Sequence, residues 1–447
     1  MKLEIDFKLI FKIVLRSLVI FVSLFVICFI LRFLSCALPQ ASIKMNITEE
    51  IDTLLAPGET LHKNSVYTGV FDSTDFFTEC KYIANAYLND RTRPLYETMY
   101  TTSHIYPKGS NGPVDALYKT IGTEPQKTYS YAQLWFGAMV VIRPMLMFLT
   151  YSKALKLWKL LIYVVIFTAI LMCYRRHGLS LAVPIGASLI FTNVDTGLSL
   201  FHTSFVFLIA FVGIIAALYI DNKENYCYLM VVLGTLTAFF DWQSTPVITF
   251  VYPVIVAMFV LYGNEKLLTV TDGFISCVAN GILWLFGYGA MQVMKWTIAS
   301  LYLKKNVFAM GLGHMGADIT KEGVDGVSDN FLVRGAYSLF KNFTAIEVVN
   351  LFNNITNLVI ICVLAIFIIA TIIKMIIVYN KNKNKKLALA FVVIIASIPQ
   401  LLYYIAVSGF CTIHWWFAYR GYAVVIAAFL CGGILFYEYC KELKANK

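Results

Sequence analysis

Charge is what this chain lacks most. Only 14% of its 447 residues are charged and 59% are hydrophobic, where a soluble domain carries about 25% charged residues. A water-soluble globular enzyme is excluded, and the mean hydropathy of +0.72 marks an integral membrane protein. The ten cysteines form no CxxC pair, and most (Cys28, Cys173, Cys277, Cys362, Cys431) lie inside apolar runs. A thiolate metal site and a disulfide framework are therefore not expected, and these residues read as small buried hydrophobes. No Ser-His-Asp order and no metal-ligand spacing stands out. "GLGHMG" at 311–316 satisfies GxGxxG literally, but without a βαβ context it reads as a flexible turn. Net charge is +10, yet the lysines gather beside apolar runs, so orientation in a membrane explains them and nucleic acid is not an expected partner.

What is present is a series of apolar runs long enough for helical spans of about 20 residues. They fall near 14–36, 156–174, 179–194, 199–220, 227–241, 246–262, 274–301, 356–378, 387–408 and 421–438. The first is too long for a signal-peptide core and reads as an uncleaved span. The fold class expected is an all-α polytopic membrane protein with about ten spans and a long, partly helical first outer loop. Lys2, Lys8, Lys12, Arg16, Arg175, Arg176, Lys223, Lys266, the run "NKNKNKK" and the tail "CKELKANK" share one side. The opposite short loops near 195–203, 241–245 and 409–418 contain no Lys or Arg. That bias places both termini in the cytoplasm. The chain divides into 1–38 (N-terminus and first span), 39–155 (extracytoplasmic), 156–301 (spans two to seven), 302–355 (second extracytoplasmic segment) and 356–447 (three spans and a basic tail). Sequons at Asn46, Asn342 and Asn354 fall on the outer side, where an Asn-rich chain produces them by chance.

Within the first outer segment, "GVFDSTDFFTECKY" places Asp72, Asp75 and Glu79 at i, i+3 and i+7 on one helical face. Beside them runs an apolar stripe of Phe76, Cys80, Ile83 and Tyr87. Capping of a helix by Asp72 and Asp75 explains part of this pattern. A catalytic role for at least one of them is the alternative, with the acids held at the outer water boundary. An apolar run, "YAQLWFGAMVVIRPMLMFLTY", carries Arg143 and is expected to lie on the outer interface or dip into it. The outer ends of later spans add Asp195, His202 and Asp241, and "CTIHWWFAYRGY" adds His414, Tyr419 and Arg420. Ionisable groups at a membrane boundary are costly and tend to line a cavity or pathway. One fitting reaction is group transfer from a lipid-linked phosphate. A carboxylate takes the acceptor's proton, and Arg420, with His414 or Arg143, neutralises the departing phosphate through the planar guanidinium fork.

The layout of residues 1–220 resembles the GT-C superfamily of polytopic glycosyltransferases. The shared features are a basic N-terminus, one span, a long acidic outer loop and the amphipathic "YAQLWFGAMVVIRPMLMF". A second span ending in "CYRRHG" and the outer turn "TNVDTGLSLFHTS" complete the likeness. It is also similar to uncharacterised bacterial membrane proteins of this layout. The resemblance implies a polyprenyl-phosphate-sugar donor, a glycan, glycolipid or envelope-polymer acceptor, and a bacterial plasma membrane. It puts the catalytic Asp at Asp72 or Asp75, with substrate contacts at Glu79, Arg143, Asp195, His202, Asp241, His414, Tyr419 and Arg420. No DxD occurs in the first outer segment, so the cofactor is unassigned and a divalent ion stays open. A flippase or other transporter, and an O-antigen-type polymerase or ligase, are the competing classes.

Overall fold

A computed structural model describes residues 7–50, 76–103, 117, 119, 121, 129–320, 329–346 and 354–445. The candidate bases Asp72 and Asp75 lie outside the described residues. In chain order the elements are α1 (Phe7–Ala37), α2 (Gln40–Thr48), α3 (Phe76–Tyr87), α4 (Pro94–Tyr100), β1 (Thr102–Ser103), β2 (Tyr129–Ser130), α5 (Met139–Leu146), α6 (Tyr151–His177) and α7 (Leu179–Phe191). There follow α8 (Val194–Gly197), α9 (Phe201–Tyr219), α10 (Lys223–Phe240), α11 (Ile248–Gly263), α12 (Val270–Leu303), α13 (Val307–Ile319), α14 (Phe331–Thr344) and α15 (Asn354–Asn382). The last are α16 (Lys385–Ala396), α17 (Ile398–Ala406), α18 (Ser408–Ile413), α19 (Trp415–Ala418), a 3-10 turn at Tyr419–Gly421 and α20 (Tyr422–Ala445). The short antiparallel pair β1–β2, with Thr102 opposite Ser130, is the one sheet among the described residues.

The protein is an all-α, multi-pass membrane protein. Among the described residues, seven helical stretches are long and apolar enough to cross a bilayer, and Leu179–Phe191 and Ile248–Gly263 are shorter apolar helices. With α10 these account for all the expected spans. Helix α11 sits at the centre, buried along its whole length from Ile248 to Tyr262. Around it α9 packs on α11, α10 on α12, α16 on α20 and α20 on α7. Helices α1 and α6 turn Leu, Ile, Val and Phe side chains outward, as lipid-facing helices do.

Sidedness is visible in the ion pairs. Glu224, at the start of α10, takes Lys12 at 2.9 Å and Arg16 at 3.1 Å from α1. Lys385 reaches Glu265 at 3.1 Å, and Lys386 reaches Glu438 at 3.1 Å and Glu442 at 2.7 Å. Exposed pairs of this kind contribute little to stability, because solvent screens them. Their value is positional: they gather the basic segments, the start of α1 and the end of α20 at one end of the bundle.

Two expectations change. The GLGHMG segment is helical, within α13, and Gly311 packs on Trp296, whose ring would lie 2.5 Å from an added Cβ. Residues 132–139 and 142–143 of the apolar run are buried in the fold rather than lying on its surface. Two sequons are consumed internally: the Asn46 amide donates to Leu146 O at 2.9 Å and the Asn342 amide to Cys411 O at 3.0 Å.

Helices α10 and α12 approach through reciprocal glycines. A Cβ on Gly234 would stand 2.1 Å from Trp284 O, and one on Gly287 would stand 2.4 Å from Val231 O. Close backbone approach of this kind drives helix association in lipid, where hydrophobic burial is not available. Gly234→Val is expected to lower stability by about 3 kcal/mol through overpacking, read as a lower thermal midpoint in detergent. Gly289→Ala, where nothing lies within 4 Å, should leave the midpoint unchanged.

Candidate functional site

At the end of the bundle away from the ion pairs, polar side chains from distant segments meet. Glu79 of α3 is fully buried, not at the water boundary. Its carboxylate accepts from Phe201 N at 3.0 Å, His202 N at 3.1 Å and the Tyr151 hydroxyl, and His202 Nδ1 lies 2.9 Å from Oε2. Four donors match the acceptor capacity of a carboxylate. Two of them are the opening amides of α9, which has no side-chain cap of its own. Glu79 is thus the N-cap of another helix, at its positive end.

His202 links this knot to Asp241, in the turn after α10. Asp241 Oδ1 accepts from Ser244 N at 3.1 Å and Ser244 Oγ at 2.6 Å, while Oδ2 is buried with no hydrogen-bond partner among the described residues. Burial pushes the Asp241 carboxyl up to about 6, against the pull of Ser244 and of His202. The Tyr403 hydroxyl donates to Gln243 O at 3.4 Å, and a further carboxyl, Asp318, lies at the end of α13. Burial also raises Asp318, with His314 opposing.

An aromatic wall stands beside Asp241. Trp242 packs on Phe136 at 4.8 Å, Tyr131 at 5.5 Å and Tyr82 at 5.7 Å between ring centroids. The Lys81 ammonium sits 5.2 Å from both the Tyr131 and Trp242 rings. Phe136 and Gln243 hold positive φ, 50° and 60°. For a bulky residue such as Phe136 this is an outlier, and strain of this kind gathers at functional sites.

The third group extends from His202 through Phe417, 6.1 Å away, to the His414 ring, 5.3 Å beyond it. Arg420, three residues past Phe417, donates from Nε to Asn193 O at 3.2 Å and from Nη1 to Trp416 O at 3.3 Å. It lies over the Tyr419 ring at 4.8 Å. Asp195 bonds the Tyr163 hydroxyl and pairs with Lys159 at 2.7 Å. Partial burial works to raise Asp195, but Lys159, Tyr163 and Arg420 outweigh it and hold the carboxyl below its usual range. Tyr163, Asn193 and Asp195 top a cleft of about 310 Å³ whose lower walls are Ile166, Leu189 and Ile190.

No protein-family model, curated protein or solved structure matches this chain. The site is therefore read from its own geometry.

Glu79, Asp195, His202, Asp241, His414, Tyr419 and Arg420 form one contiguous region. Arg143 belongs elsewhere. Its guanidinium donates to Ser35 O at 2.7 Å, Ala86 O at 2.6 Å, Leu38 O at 3.4 Å and Gln40 Oε1 at 2.9 Å. It fastens α1, α2, α3 and α5 together and its donors are used. Nearby, Arg32 donates to Trp135 O at 3.3 Å and Lys295 to Thr98 O at 2.7 Å. Burial pushes Glu97, beside Arg32, up to about 7, with Arg32 pulling it down. Sequence reasoning missed Lys81, Tyr82, Tyr131, Phe136, Trp242, Tyr288, Asp318 and Tyr403. Lys81, two positions beyond Glu79, and Trp242, beside Asp241, were the available signals. Among the described residues no group of three or more His, Cys, Asp or Glu is placed to hold a metal ion.

Removing the Glu79 carboxylate takes the acceptor from two helix amides and a tyrosine in the core and one partner from His202. Glu79→Ala is expected to cost about 3 kcal/mol, seen as a lower thermal midpoint without any ligand. A residue that only contacts substrate would leave that midpoint in place.

Proposed function

We propose that this protein is a membrane glycosyltransferase. It moves a sugar from a polyprenyl-phosphate-linked donor to a glycan, glycolipid or envelope-polymer acceptor on the extracytoplasmic face. The observation that carries the reading is the position of Asp241. Its unpartnered Oδ2 follows directly on Phe240, which closes one end of an apolar cleft of about 320 Å³ between α9 and α10. Trp158, Phe205, Val212, Ala216 and Leu229 line the rest of it. Phe205 to Ala216 spans about 16 Å of helix at 1.5 Å per residue. A slot of that length, apolar throughout and ending at the residue before a buried acid, suits a lipid tail whose reactive head stands at the membrane boundary.

In this scheme the acceptor hydroxyl gives its proton to Asp241 while its oxygen bonds the anomeric carbon. The bond from that carbon to the phosphate oxygen breaks, and polyprenyl phosphate leaves with the electron pair. A base works best when its pKa is near the operating pH, which a carboxyl raised to about 6 approaches. Lys81 and Arg420 are the cations of the site suited to the phosphate. Trp242, Tyr131 and Tyr82 offer flat faces to a sugar ring. The resemblance to the GT-C layout is a second support, and it favours Asp72 or Asp75 for the same role. The positive-inside bias supports cytoplasmic termini and an outward-facing site, and the same resemblance supports a bacterial plasma membrane.

The test is release of polyprenyl phosphate when purified protein meets a panel of polyprenyl-phosphate hexoses and lipid-linked acceptors. Asp241→Asn should lower the rate by about 10²- to 10⁴-fold, the span of general-base catalysis, while Asp195→Asn leaves it within a few-fold. Full activity in Asp241→Asn with loss in Asp75→Asn or Asp72→Asn would move the base to the first outer segment. Full activity in all three would remove the carboxylate mechanism.

The pH dependence follows from the same group. Asp241 must be deprotonated to accept a proton, so the rate should fall as pH drops through about 6. The acid limb should vanish in whatever residual activity Asp241→Asn retains. Filling the cleft by Ala216→Phe should raise KM for the lipid-linked donor with kcat little changed.

A further inference from the structure

Helix α14 is amphipathic in the inverted sense. Its buried face is Arg334, Gly335, Ser338 and Asn342, and its outward face is Phe331, Leu332, Val333, Tyr337 and Phe340. Leu332 is 72% exposed. A helix on a protein in water turns its apolar stripe inward, so hydrocarbon, not water, is the medium this outward face fits. The polar face explains where the helix lies. Arg334 Nε donates to Ser408 Oγ at 3.0 Å, Asn342 to Cys411 O at 3.0 Å, and the Tyr422 hydroxyl to Leu339 O at 2.9 Å. Gly335 packs on Ile405, which would stand 2.8 Å from an added Cβ. These partners are the end of α17, the short α18 and the first residue of α20. The helix therefore crosses the ends of spans instead of extending one.

We infer that α14 lies in the plane of the outer leaflet, with its apolar face covered by lipid acyl chains. The second outer segment is thus partly a membrane element, not a water-exposed loop. The face continues the lipid-facing surface of the adjoining span, where Ile398 and Leu402 of α17 are also exposed. Lys341, 5.8 Å from the Tyr337 ring and 5.2 Å from the Trp415 ring, provides the cation and aromatics common at such a boundary. Because Trp415 adjoins His414, this helix borders the candidate site on its membrane side. The inference stands on packing alone and does not depend on the transfer chemistry.

Single cysteines at Leu332→Cys and Phe340→Cys, in a Cys362→Ser, Cys440→Ser background of the full chain in phosphatidylcholine nanodiscs, test it with an NBD label. Both labels should emit to the blue, be quenched by lipid carrying a shallow doxyl group, and resist aqueous iodide several-fold better than a label at Asp195→Cys. Iodide quenching equal to the Asp195→Cys label would put the face in water and overturn the inference. Resistance to both quenchers, or disulfide cross-linking between copies through Leu332→Cys, would overturn it in favour of a protein cover.

Discussion

The end of the bundle away from the ion pairs depends on one carboxylate. Glu79 satisfies the opening amides of α9, the Tyr151 hydroxyl and the His202 ring at once. The first outer segment, α6 and α9 are thereby tied at a single buried point. The bilayer explains why so much rests there. Within hydrocarbon a helix satisfies its own backbone, but its first amides have no intrahelical partner. The N-terminus of α9 begins in the core rather than in water, so a partner must be brought to it. A glutamate from another helix provides charge complementary to the helix dipole as well as acceptors.

The same accounting governs the cations. Arg32, Arg143 and Lys295 are all buried, and they donate chiefly to backbone carbonyls at helix ends and turns. Such carbonyls are the mirror image of the orphan amides, and long cationic side chains can reach several of them from one position. Arg143 and Arg420 look alike in the sequence, each near a boundary in an apolar setting. They differ in what surrounds them: Arg143 is enclosed by the carbonyls it binds together, whereas Arg420 lies against the turn that presents Asp195.

Much of the architecture was legible because it follows from one-dimensional quantities. Apolar run length located the helices, and the lysine bias anticipated which helix ends would share ion pairs. The helix through Cys80 and Ile83 was readable from spacing, and both residues are core. Spacing places Glu79 in water because a carboxylate on a polar stripe ordinarily is solvated; its burial is set by α9, more than a hundred positions later. The aromatic wall was hidden for the same reason, since Tyr82, Tyr131 and Trp242 come from three separate segments. The glycines of GLGHMG suggest a turn, yet Gly311 is what lets α13 lie on Trp296. Tertiary packing overrode propensity there.

Asp195 and Asp241 show how far the site could be read before the fold was known. Both lie at helix ends within a few residues of an aromatic, and spacing alone gives them equal standing. Their environments separate them. Asp195, with a side chain 63% exposed, is held by Lys159 and Tyr163 and pushed toward its charged form. Asp241 is enclosed, bonded through one oxygen only among the described residues, and pushed toward neutrality. An acid already paired has little to offer a proton in transit, while an acid with a free oxygen and a near-neutral pKa can take one and give it back. Two carboxylates driven apart in this way mark a division between an anchoring and a reactive role. On that division the proposed transfer assigns the proton to Asp241 and leaves Asp195, held by Lys159 and Tyr163, an anchoring part.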